Sequence, residues 1–237
     1  MDARSLGELE LLAIARLYGL ESGAAAIAPA PAATGAGAQP VAFRPDASRA
    51  TWDELREQAA ACRACGLCKQ RKQAVFGTGS ETGPWLFVGE GPGADEDEQG
   101  EPFVGQAGRL LDSMLAAIGS ARGRDVYIAN VVKCRPPGNR TPTLEEANAC
   151  APFLDRQIEL VAPKLIVALG KTAATRLLAT EASLASLRGR VHRYREIPVV
   201  VTYHPAYLLR SLAEKSKAWE DLLFARKALQ MPVSLKP

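Results

Sequence analysis

The sequence predicts an α/β fold, a three-layer α/β/α sandwich around a central parallel sheet, and three observations predict it. From about residue 50 onward, short apolar runs of strand length alternate with longer stretches of helical periodicity. The short runs, such as Leu165 to Leu169, are apolar throughout, as strands covered on both faces must be. Gly89, Asn130 and His204 stand at the ends of three of them, the edge where open parallel sheets bind ligands.

Taken in order, the chain of 237 residues opens with Leu6, Leu9, Ala13, Ile14 and Leu17 at near-helical spacing. This predicts a short amphipathic helix within residues 1–22, which either packs on its own domain or docks on a protein partner. Residues 23–50 are dominated by alanine, with Pro29, Pro31, Pro40 and Pro45, and read as a linker. The folded domain is expected over residues 51–237. Thr51 followed by Trp52, Asp53 and Glu54 is a capped helix start, with the helix running to about Ala61. Strands are then predicted at 85–88, 126–132, 165–169 and 199–203, and helices at 107–118, 144–161, 171–179 and 216–229.

With 47% hydrophobic and 23% charged residues, the chain can bury one sizeable core. No apolar run approaches the roughly 20 residues of a membrane helix, and the acidic N-terminus does not resemble a secretory signal. A cytoplasmic monomer is expected. The net charge of +3 is unevenly distributed: residues 1–60 hold 5 Lys+Arg against 8 Asp+Glu, and residues 61–237 hold 24 against 18. Five of those acids fall between Asp95 and Glu101, so the remaining surface is basic, with Arg188, Arg190, Arg193 and Arg195 close together in the chain. That balance suits a polyanionic partner such as nucleic acid, and equally suits a solvated basic face.

Four segments carry chemistry. Gly89-Glu90-Gly91-Pro92-Gly93 permits close backbone approach to a ligand, but it is neither a Walker loop nor a dinucleotide fingerprint, because its proline and the following acids disfavour a pyrophosphate. Asn130 offers a donor and an acceptor suited to an amide-like base edge, or serves as a turn residue. In His204-Pro205-Ala206-Tyr207-Leu208-Leu209-Arg210 a histidine precedes an apolar wedge and an arginine. Cys62 and Cys65 form a CxxC, and Cys134 and Cys150 lie downstream; four such thiolates suit tetrahedral zinc or a four-iron cluster. Cys68 reads as a nonligating thiol.

Together with Pro102-Phe103-Val104-Gly105 and the run from Asn130 to Arg140, these segments closely resemble the family 4 uracil-DNA glycosylases from about Trp52 to Leu229. The resemblance implies an α/β/α sandwich, a [4Fe-4S] cluster held by Cys62, Cys65, Cys134 and Cys150, and hydrolysis of the uracil–deoxyribose bond in uracil-containing DNA during base excision repair. It further implies a uracil pocket built from Gly89, Glu90, Gly91, Glu96, Phe103, Asn130 and His204. Within it His204, Asn130 and Glu90 would be catalytic, and Glu96 would shape the site against the thymine methyl or position water. Leu208 and Leu209 would fill the gap left by a flipped base and Arg210 would meet a phosphate. A cluster-bearing module without hydrolytic activity and a zinc-stabilised nucleotide-binding protein are the competing classes.

Overall fold

In a computed structural model that describes residues 47–230, the apolar runs form a six-stranded sheet. Its strands are β1 (Thr78–Gly79), β2 (Trp85–Gly89), β3 (Val126–Asn130), β4 (Leu165–Leu169), β5 (Val191–Tyr194) and β6 (Ile197–Thr202), in spatial order β1-β3-β2-β4-β6-β5. The inner four are mutually parallel, whereas β1 pairs antiparallel with β3 and β5 antiparallel with β6. The predicted parallel sheet is thus the centre of a mixed one. Neither edge strand has an apolar run to announce it: β1 is two residues long and half glycine, and β5 carries His192 and Arg193.

The helices are α1 (Trp52–Ala61), α2 (Ala94–Gln99), α3 (Gln106–Ala117), α4 (Leu144–Val161), α5 (Lys171–Leu178), α6 (Leu184–Leu187), α7 (Pro205–Leu208) and α8 (Lys215–Gln230). Two of them start on reciprocal caps. The Thr51 and Thr143 N–H groups donate to Glu54 and Glu146, each at 2.8 Å, and each threonine hydroxyl accepts its glutamate's N–H in return. The helix expected within residues 1–22 and nearly all of the linker expected at 23–50 lie outside the described residues.

Alternation along each strand sorts the core into two layers. Leu86, Val88, Ile166, Ala168, Val199 and Val201 pack with Leu55 of α1, Leu154 and Ile158 of α4, and Ala173 and Leu177 of α5. Trp85, Phe87, Leu165, Val167 and Val200 face the other way, against Leu111 and Leu115 of α3 and Leu222 and Ala225 of α8. This is the expected three-layer sandwich. The chain moves from β2 to β3 on one side and returns to β4 on the other, so a crevice opens beyond the carboxyl ends of β2 and β4. No helix among the described residues is long and apolar enough to cross a membrane.

Ile158 is 1% exposed in the layer that joins α4 to the sheet. Ile158→Ala is expected to destabilise the protein by about 2–5 kcal/mol, read by chemical denaturation, through lost burial and the cavity left behind.

Candidate active site

The crevice holds a cavity of about 470 Å³ that gathers the strand-end residues Glu90, Gly91, Asn130, Gly170 and His204 together with Glu96, Phe103, Lys171, Tyr207 and Arg210. Register explains the convergence: Gly89 is the parallel partner of Asn130, so the second strand end lies directly beside the first. The glycine is required there. A Cβ at position 89 would fall 2.4 Å from Asn130 Oδ1 and 2.6 Å from Phe103 Cζ, so any other residue would push both side chains away. Asn130 is 2% exposed, and its Oδ1 has no hydrogen-bond partner. A buried acceptor left open in this way is costly unless a ligand completes it.

Two carboxylates line the cavity, and they are held differently. Glu96 accepts N–H groups from Gly93, Val104 and Gly105, each at 3.0 Å, so it ties the glycine-rich loop to the segment that carries Phe103. Glu90 accepts a hydrogen bond from the Thr172 hydroxyl in the first turn of α5. Thr172 is invisible as a site residue in the sequence, since only the packing of α5 against the end of β2 gives it a role.

Phe103 adopts a left-handed backbone conformation, φ 57°, which strains a residue with a bulky side chain. The surroundings enforce it. Arg122 donates to Pro102 O and Phe103 O, both at 2.7 Å, and is anchored in turn by Asp112 at 3.0 Å. From the other side α3 presents Gly108, where a Cβ would lie 1.7 Å from Phe103 O. The Phe103 ring is 5% exposed and stacks on His204, with centroids 5.4 Å apart. Arg122 sits in a connecting turn, so no periodic pattern marks it.

His204 follows β6 and caps α7, where its Nδ1 accepts the Ala206 N–H at 3.2 Å. The proton of the neutral ring is therefore on Nε2. Burial, reinforced by the nearby Arg210 charge, lowers its pKa to about 4, so the ring is an uncharged donor at neutral pH.

Of the two residues expected to form a wedge, Leu208 is 1% exposed and packs in the interior of this structure, whereas Leu209 and the neighbouring Tyr207 are each 40% exposed. Counting apolar residues could not separate them, because the short turn of α7 decides which one points inward. Tyr207 stacks on Tyr203 with centroids 5.3 Å apart, and Arg188 covers Tyr203 at 4.7 Å. The arginine cluster is less free than its spacing suggested. Arg188 is bound by buried Asp221 at 2.6 and 3.0 Å, Arg195 by Glu159 at 2.7 Å, and Arg193 by Glu196 O at 3.0 Å.

On the α1 and α4 side, Cys62, Cys65, Cys134 and Cys150 line a second, smaller cavity with Cys68, Arg71 and Lys133. All are free thiols. Their sulfurs are surrounded by donors: Arg71 reaches Cys134 Sγ at 2.9 Å, the Lys133 N–H reaches Cys150 Sγ at 3.3 Å, and the Ala64 N–H reaches Cys62 Sγ at 3.5 Å. Burial pushes the thiol pKa of Cys150 up to about 12 and that of Cys134 to about 11. Among the described residues, no three His, Cys, Asp or Glu side chains are placed to hold a metal ion together.

The family model described as the uracil DNA glycosylase superfamily matches residues 76–223, and the chain belongs to that superfamily. Within it, the chain is similar to proteins named type-4 uracil-DNA glycosylase. It is 48% identical to that of Thermotoga maritima over 159 residues, 66% of this chain and 82% of the relative. It is 45% identical to the Archaeoglobus fulgidus protein over 165 residues, with the same coverage of 66% and 82%. The Pyrobaculum aerophilum protein is 44% identical over 177 residues, 71% of this chain and 90% of the relative.

The strained Phe103 segment depends on its clamp, so Arg122→Gln should let it relax. Inhibition by free uracil is expected to weaken about 10-fold or more, since each charge-assisted bond lost corresponds to about 1.5–3 kcal/mol. Titrating uracil against single-turnover excision by a variant with a cooperative melt checks this; a parental inhibition constant would remove Arg122 from the site.

Proposed function

We propose that this protein is a uracil-DNA glycosylase that receives uracil rotated out of DNA and hydrolyses its N-glycosidic bond, leaving an abasic site for base excision repair. The observation that carries this reading is the open, buried Oδ1 of Asn130. Uracil presents an N3–H donor beside the O4 acceptor, which complements the two ends of an asparagine amide. Cytosine presents an acceptor at N3 and a donor at C4, which opposes both. The Phe103 ring walls the same cavity.

As the C1′–N1 bond breaks, its electron pair passes to the base and negative charge accumulates on uracil O2. The Nε2–H of His204 is the donor for that oxygen, and its neutrality at pH 7 keeps it a pure hydrogen-bond donor. Water adds to the cationic sugar at C1′, and the proton it gives up passes to the departing uracil anion, so the products are an abasic sugar and neutral uracil. We assign this water to Glu90, an assignment supported by the Thr172 hydroxyl that Glu90 accepts while Glu96 is engaged by three backbone N–H groups. Leu209 and Tyr207 supply apolar contact where the base has left the stack, and exposed Arg210 a phosphate contact.

The donor set of the second cavity fits a [4Fe-4S] cluster: five thiols, four of them enough to hold it, with two cationic residues and N–H donors aimed at sulfur. Cys62, Cys65, Cys134 and Cys150 would hold it. When bound, the cluster supplies a cross-link between the loop after α1, the end of β3 and α4, and the hydrolysis runs on the protein's own side chains.

Alkali-revealed cleavage of a uracil-containing oligonucleotide tests the activity, and no cleavage by iron-replete protein would refute it. In that assay Asn130→Asp should lower the ratio of uracil to cytosine excision at least about 10-fold, since the carboxylate has no donor for O4. Unchanged rates on both bases would return Asn130 to a turn role.

His204→Ala should slow single-turnover excision by about 10²-fold or more. For the parent, because the folded imidazole protonates only near pH 4, the rate should show no break near the ordinary histidine pKa of 6.5. Unfolded His204 takes up a proton near 6.5 and folded His204 only near 4, so its contribution to stability is complete above 6.5 and is lost as pH falls toward 4. A rate step at 6.5 that disappears in His204→Ala would contradict the neutral-donor role.

A further inference from the structure

Lys133 is 1% exposed and lies in the chain between Asn130 and the cluster cysteine Cys134. Its Nζ donates to the main-chain oxygen of Asn130 at 2.9 Å and to Gln157 Oε1 at 2.5 Å. Gln157 is itself fully buried, and its amide nitrogen is committed to Phe76 O at 2.9 Å and the Tyr127 hydroxyl at 3.2 Å. Both acceptors of the lysine are therefore neutral. Among the described residues no carboxylate pairs with it, in contrast to Arg122, Arg140, Arg176 and Arg188. An ammonium taken out of water is costly unless a negative charge compensates it. The cysteine cavity can supply one, since Lys133 lines it and its Cys150 sulfur accepts the Lys133 main-chain N–H.

We propose that Lys133 is the buried counter-charge of the cluster and, through its bond to Asn130 O, the positioning residue that fixes the base-reading amide to the cluster shell. The inference rests on the reading of the two cavities given above. Four thiolates around a four-iron core carry net negative charge, and an ammonium beside them offsets it. The same ammonium gathers Asn130 O and Gln157 Oε1, so the segment from residue 130 to residue 134 is held at both ends. Beyond the end of β3 this segment is otherwise held by the Val131 and Val132 N–H bonds to Gly89 O and Glu90 O, at 3.0 and 3.1 Å. The cluster thereby helps set where the Asn130 side chain starts, without touching the base.

The test uses the full chain purified without oxygen. Lys133→Met keeps the volume and apolar stem while removing the charge. It should retain iron, show a more negative cluster midpoint potential, and lose at least about 10-fold in the single-turnover uracil-to-cytosine ratio. Gln157→Glu is nearly isosteric and sets a carboxylate against the same ammonium. It should also shift the potential negatively, and it decides the question if Lys133→Met does not fold. A parental potential in the variants overturns the counter-charge, whatever happens to selectivity. A shifted potential with a parental excision ratio in Lys133→Met overturns the positioning role. The parent separates these failures from failure of the underlying reading: a colourless, iron-free parent overturns the cluster and this inference with it, whereas an iron-bearing parent that releases no uracil refutes the activity and leaves the potentials to decide the counter-charge.

Discussion

The site depends on parallel pairing that brings Gly89 level with Asn130. Because the two strands run the same way, both end at the same edge, and because position 89 lacks a Cβ, the asparagine and the phenylalanine occupy the space above it. A slip of one residue would turn Asn130 to the opposite face of the sheet and place a side chain in that space. The loop from Glu90 to Gly93, the strained Phe103 segment and the first turn of α5 are arranged around this one close approach.

Rigidity around the pocket comes from main-chain contacts made by charged side chains. Glu96 gathers three N–H groups, Arg122 two carbonyls, and Arg71 the carbonyls of Ala59, Ala60 and Cys62. Contacts of this kind fix loops where no ladder or helix satisfies the backbone. They also take up part of the acidic stretch after the glycine-rich loop. Asp97 is buried and accepts the Lys72 N–H at 3.0 Å, and Glu96 is taken up by three backbone N–H groups, so these two carboxylates are engaged within the protein.

Much of this architecture is legible in the amino-acid sequence. The capping pair at Thr51, the uninterrupted apolar run at Leu165 to Leu169 and the strand-end asparagine and histidine each carry a local signature that survives into the fold. The residues that escape have no local signature. Arg122 and Thr172 acquire roles only when distant segments pack beside them, and Leu208 and Leu209 look alike until one turn of helix points the first inward. The arginines between 188 and 195 show the converse error: their spacing suggests an open basic surface, yet Asp221 and Glu159, far away in the chain, engage two of them. Charge counted along a sequence is an upper bound on charge presented to a partner.

The two margins of the sheet bear on how the molecule behaves in a crowded solution. An exposed sheet edge is a template on which another chain can add by backbone pairing, and long flat apolar edges do so most readily. Here one margin ends after two residues, Thr78 and Gly79, and the other is a four-residue strand bearing Arg193 opposite Pro198. A two-residue strand is too short to serve as a template, and Arg193 puts a solvated charge on the other margin, so neither offers a long apolar edge to an incoming strand. Among the described residues the sheet therefore offers its two edges poorly to another chain, whereas its carboxyl end opens into the cavity that Asn130 and His204 line.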